Sequence, residues 1–111
     1  MPSMIFIELP IFTRCSEALF ADDDDLLKLQ QIVMENPTVG SVIPGGKGLR
    51  KLRVSQPGRG KKGGARVIYY YWSSKEWCYL VYAYAKNVTA DLTKDQLHRL
   101  ATVMEMEVHC E

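Results

Sequence analysis

Residues 49–55 read LRKLRVS and residues 65–85 read ARVIYYYWSSKEWCYLVYAYA. The fold class turns on these two stretches. Ala65 to Trp72 and Glu76 to Ala85 are dense in tyrosine, tryptophan and valine, which suit a pleated, half-buried surface. Ser73, Ser74 and Lys75 between them make a turn, so the pair reads as an antiparallel hairpin. Leu49 to Ser55 alternates in polarity. A strand there turns Leu52 and Val54 inward and Lys51 and Arg53 outward.

Working outward, Thr38 to Gly48 is a glycine-rich loop, and Gln56 to Gly64 is a second one with the sequence QPGRGKKGG. Ser3 to Leu9 reads as a short strand ended by Pro10. Ile11 to Phe20 suits a short helix with Thr13 as its cap. Asp22 to Asp25 open a second helix, because carboxylates at a helix N-terminus cap free N–H groups and complement the macrodipole. Leu26, Leu29, Ile32 and Val33 supply its apolar stripe, and Asn36-Pro37 stops it. After a connector from Lys86 to Asp91, Thr93 and Gln96 have the spacing of a capping box. Leu97, Leu100, Ala101 and Met104 then mark one face of a final helix. The order β-α-α-β-β-β-α predicts one α+β domain over residues 1–111, with a mainly antiparallel sheet. Helices are expected on one sheet face, leaving the other to basic and aromatic residues.

Composition narrows the function classes. No run approaches the ~18–20 apolar residues of a membrane span, and the first ten residues lack a signal-peptide layout, so a cytoplasmic protein is expected. Cys15, Cys78 and Cys110 are widely spaced and odd in number, which disfavours a disulfide framework or a zinc site. His98 and His109 read as surface residues. No metal or cofactor is expected.

The net charge of +1 hides a strong asymmetry. From Asn36 to Ser74 there is no Asp or Glu, yet the stretch carries Lys47, Arg50, Lys51, Arg53, Arg59, Lys61, Lys62 and Arg66. The preceding third is acidic. A basic block of this kind points to nucleic acid.

Enzyme patterns with their own signatures are missing: there is no GxSxG and no HExxH. GGKGL and GRGKKGG resemble phosphate loops in composition only, since neither is followed by the Ser or Thr of a Walker loop. They read instead as mobile basic loops, with Lys47, Arg59, Lys61 and Lys62, and Arg50 on the adjoining strand, helping to hold a nucleic-acid backbone. Lys51, Arg53, Arg66 and Lys86 form the sharper constellation, coming from three successive strands. Preorganised cations stabilise the charge that builds on a phosphate when a ribose 2′-OH attacks it, and a lysine within such a cluster can act as base. For each of these residues a solvated surface charge is the plain alternative. For the tyrosines at 69, 70, 71, 79, 82 and 84, core packing is preferred over base stacking.

The segments ENPTVGSVIPGGKGLRKLRV, GRGKKGGARVIYYYW and YLVYAYAKNVTADLTKDQLHRL resemble the RelE/HigB toxin family of bacterial toxin–antitoxin pairs, in its HigB-like branch. The resemblance runs from about Met4 to Met104. It implies a compact RelE fold and a ribosome-dependent endoribonuclease that cuts mRNA in the A site. The partner would be an antitoxin of helix-turn-helix type, encoded next to the toxin. It places catalytic roles on Lys51, Arg53, Arg66 and Lys86, with Arg66 at the scissile phosphate. Asn87 and Thr93 stand where some members have an arginine and a stacking tyrosine, so Tyr84 and Asn87 are the substitute candidates for base or RNA contact. Two other readings use the same residues: a non-catalytic RNA- or DNA-binding module, and a degenerate toxin-like protein that only binds an antitoxin.

Overall fold

The computed structural model describes residues 3–20, 23–54, 64–86 and 91–109, apart from the side chains of Asp23 and His109. In chain order the elements are β1 (Ile5–Glu8), α1 (Pro10–Leu19), α2 (Asp23–Glu35), β2 (Ser41–Val42), β3 (Arg50–Val54), β4 (Ala65–Trp72), β5 (Trp77–Ala85) and α3 (Lys94–His109). The strands form one sheet in the order β1-β5-β4-β3-β2. Pairing is antiparallel throughout except at the β1 edge, where β1 runs parallel to β5.

The β4–β5 hairpin is the spine of the sheet. Its turn is sealed by Lys75, whose ammonium lies 4.7 Å from both the Trp72 and Trp77 rings. The register slips between Ile68 and Tyr69: Ile68 faces Tyr82 while Tyr69 faces Leu80, leaving Val81 as the extra residue of a bulge. Val81 and Tyr82 consequently pack on the same side of the sheet.

Helices cover both faces, not one. Phe12 of α1 and Leu29 and Val33 of α2 pack on Leu52, Val54, Val67, Tyr69, Cys78 and Leu80. On the opposite face, Leu100, Ala101 and Met104 of α3 cover Leu49, Ile68, Tyr79, Val81 and Tyr84. The reason lies in β4 and β5, where both alternating sets of side chains are apolar or aromatic, so each face must be buried. Lys51, Arg53 and Arg66 lie on the α3 side of the sheet, toward its β2 edge.

Local expectations fare variously. The Thr93–Gln96 capping box is formed, with Gln96 N–H donating to Thr93 Oγ1 at 3.1 Å and Thr93 N–H to Gln96 Oε1 at 2.9 Å. Pro10 opens α1 at its first turn, where a missing N–H costs nothing. Thr13 therefore lies inside that helix and is no cap. Its hydroxyl donates to Glu8 Oε1 at 2.8 Å. The Thr38–Gly48 loop contains the two-residue strand β2, and Pro44 to Gly48 form the tight turn into β3, held by Gly46 N–H to Ile43 O at 2.9 Å.

Tyr69 fixes this region to the sheet. Its hydroxyl donates to Pro37 O at 2.8 Å and accepts from Gly40 N–H at 2.9 Å. The contact is so close that a Cβ on residue 40 would lie 2.7 Å from the tyrosine ring, which is why glycine stands there. Val39 and Ser41 are thereby set against the edge of β3.

Candidate nucleic-acid interface

The alternation of β3 separates its cations. Leu52 and Val54 face α1 and α2, so Lys51 and Arg53 face the α3 side. Arg53 is paired directly with Arg66 of β4, and Arg66 with Tyr84 of β5. These three side chains form a row across three adjacent strands, its ends ~10 Å apart. Lys51 stands beside the row, two residues along β3 and opposite Ile68.

Arg66 is the unusual member. It is only 8% exposed, yet no carboxylate pairs with it among the described residues. Among the described residues its guanidinium has one hydrogen-bond acceptor, Ala65 O, at 3.4 Å from Nη1. Buried charges are ordinarily paired, because desolvation is costly. Among the described residues Arg66 is thus a buried cation with no anion beside it. An open cleft of about 310 Å³ gives access, lined by Val39, Ser41, Lys51, Leu52, Arg53 and Arg66. It lies where β2, two residues long, leaves the edge of β3 uncovered.

Tyr84 is buried in the row, its ring centroid 6.0 Å from that of Tyr82. Burial foremost, then the neighbouring Asp91 carboxylate, pushes its hydroxyl up to about 12, against a smaller opposing pull from Arg66. Tyr84 is therefore a protonated donor at neutral pH. It donates to Asp91 Oδ1 at 3.2 Å, and Lys51 Nζ approaches the same oxygen at 3.3 Å. The Asp91 carboxyl sits below the usual range, chiefly through its bond from Leu92 N–H, with Lys51 and Tyr84 adding to the effect.

The other sequence candidates are placed differently. Lys86 follows the end of β5 and is exposed, its N–H donating to Gly64 O at 3.2 Å. Arg50 has the parity of Leu52 and faces away from the row. Its guanidinium donates to Gly40 O at 2.8 Å, which ties down the Pro37–Ser41 loop. Lys47 is paired with Glu105 in the second half of α3, at 2.7 Å. Arg59, Lys61, Lys62 and Asn87 lie outside the described residues. Asp91 is not a sequence candidate, since there it only ends the Lys86–Asp91 connector. Its signal was its isolation: it is the one acidic residue between Glu76 and Asp95.

Among the described residues no helix is long and apolar enough to cross a membrane. The solved structure of an E. coli toxin RelE mutant, with two arginines changed to alanine and in the free state, superposes with a TM-score of 0.63. The two are 12% identical over 93% of this chain and 98% of that one, a likeness of fold. A sequence model described as the RelE toxin of the RelE/RelB toxin–antitoxin system matches residues 11–109. With nearly the whole chain matched and the compact α+β fold in common, this protein belongs to the RelE toxin family.

Proposed function

We propose that this protein is the toxin of a type II toxin–antitoxin pair and acts in the cytoplasm as a ribosome-dependent endoribonuclease on mRNA. The observation that carries the reading is the buried Arg66, paired with no carboxylate among the described residues, flanked by Arg53 and Tyr84 and open to a cleft. In the reaction, the ribose 2′-oxygen loses its proton and forms a bond to phosphorus, the bond from phosphorus to the 5′-oxygen breaks, and the leaving 5′-oxygen takes up a proton from the protonated base or solvent, so the products end in a 2′,3′-cyclic phosphate and a 5′-hydroxyl. Negative charge grows on the non-bridging oxygens as the bond forms. Arg66 and Arg53 offer planar N–H donors to those oxygens from a partly dry site. Tyr84 retains its proton, so it serves as a donor and not as the base. Lys86 is the cluster member proposed to take the 2′-hydroxyl proton, while Lys51, ion-paired with Asp91, adds positive charge beside the phosphate. No metal ion enters this scheme.

The partner is an antitoxin, proposed to be a helix-turn-helix protein from the adjacent gene. Expression of the toxin alone is expected to arrest growth and to leave mRNA cut within ribosome-protected codons, and co-expression of the antitoxin to restore growth. Salt-sensitive RNA binding without cut mRNA would instead establish a binding module.

A further inference from the structure

Three segments of the chain meet on one oxygen of Asp91. Oδ1 accepts from Lys51 Nζ of β3 at 3.3 Å, from Tyr84 OH of β5 at 3.2 Å and from Leu92 N–H at 2.9 Å. β4 runs between the two strands, so side chains rooted ~10 Å apart converge on a single atom. We infer that Asp91 is a positioning residue that holds the Lys51 ammonium and the Tyr84 hydroxyl in fixed places on either side of Arg66.

Asp91 is suited to this because its own place is fixed from the other side. The Leu92 N–H holds its carboxylate, and the closed Thr93–Gln96 capping box follows at once and pins the start of α3. The pair with Lys51 gives the fold little stability, since the two side chains are 33% and 64% exposed. What it supplies is order. A lysine side chain has large rotamer freedom, and fixing it in advance lowers the entropic cost of reaching the reactive geometry. Lys51 also borders two clefts: the one over Arg66, and one of about 450 Å³ between the β2 strand and the start of α3, whose wall includes Asp91. The carboxylate thus holds the lysine at the boundary between them.

The inference rests on the cleavage reading, so its test has an arm that does not. In single-turnover cleavage of ribosome-bound mRNA, Asp91→Ala is expected to lower the rate at saturating ribosome by up to ~100-fold with little change in half-saturation. Asp91→Asn keeps an oxygen acceptor and is expected to stay within a few-fold of the unmodified protein. In the second arm, the assigned ring-carbon NMR signal of Tyr84 is titrated with alkali. Its midpoint is expected to fall in Asp91→Asn, because a carboxylate that helps hold it up is gone. Equal or faster cleavage by Asp91→Ala, or equal losses in both variants, would overturn the positioning role. So would an unmoved Tyr84 midpoint. If the unmodified protein cleaves nothing, the cleavage reading fails, and the Tyr84 titration still decides whether the Asp91 contact exists.

Discussion

Arg53 and Arg66 face each other directly across β3 and β4. Like charges in opposed positions of an antiparallel pair destabilise a sheet. Among the described residues neither is ion-paired, and Arg66 is buried as well. A local conflict of this kind is expected at a functional site, and under the proposed function the RNA phosphate supplies the missing negative charge.

Arg66→Met keeps the length of the side chain and removes the charge. The variant is expected to fold with unchanged or higher stability, by on the order of 0.5–1 kcal/mol, because an opposed like charge is gone. Cleavage is expected to drop by ~100-fold or more, the scale of losing one preorganised donor to a developing oxyanion. Urea unfolding midpoints measured beside cleavage rates check both halves.

Tyr69→Phe tests the clamp under the cleft. It leaves the buried Gly40 N–H without its acceptor and Pro37 O without its donor. The cost expected is ~1–3 kcal/mol of stability, read from the unfolding midpoint. Gly40→Ala is expected to be at least as harmful, since its new Cβ collides with the Tyr69 ring.

Lys47, in the turn between β2 and β3, and Lys51, within β3, are expected to part company. Each is paired with a carboxylate, Lys51 with Asp91 and Lys47 with Glu105, but Lys51 lines the cleft beside Arg53 and Arg66 and Lys47 does not. In binding of a non-cleavable 2′-O-methyl oligonucleotide, Lys51→Ala should reduce the slope of log affinity against log salt by ~0.7, the value for one contact to a single strand. Lys47→Ala should leave the slope nearly unchanged.

Stability is expected to decline in alkali. Burial pushes the Cys78 thiol from 9.0 up to about 12, and Tyr84 rises from 10.0 to about 12 for the reasons given above. Both groups hold their protons more tightly when folded than when unfolded. Their contribution is fully present below the unfolded values and is lost as pH rises from 9 toward 12. Replacing Cys78 by alanine should move the onset of the decline up by about one pH unit, towards the range of the tyrosines. Urea midpoints between neutral pH and pH 11 check the shift.

Much of the fold is legible in the sequence. The alternation in LRKLRVS separates Leu52 and Val54 from Lys51 and Arg53, and the structure keeps that division. By the same parity Arg50 belongs with Leu52, so its turn away from the site can be read off too. The side on which α3 packs is not legible, because a helix stripe names what is buried and not which sheet face buries it. Neither is β1 beside β5 in parallel, a pairing between segments some 70 residues apart. Asp91 escapes for a related reason: its meaning comes from Lys51, 40 positions earlier, and from a register that only the assembled sheet defines. Sequence could list the cations. The row of Arg53, Arg66 and Tyr84 depends on strand pairing.

The most direct measurement uses purified protein, ribosomes carrying a defined mRNA, and the Arg66→Met variant as its pair. The expected result is cutting by the unmodified protein within the ribosome-bound codon, with 2′,3′-cyclic phosphate ends, undiminished by a metal chelator added after the ribosomes are assembled, and nearly absent with Arg66→Met. Intact mRNA in both reactions, or equal cutting in both, would contradict the role given to Arg66.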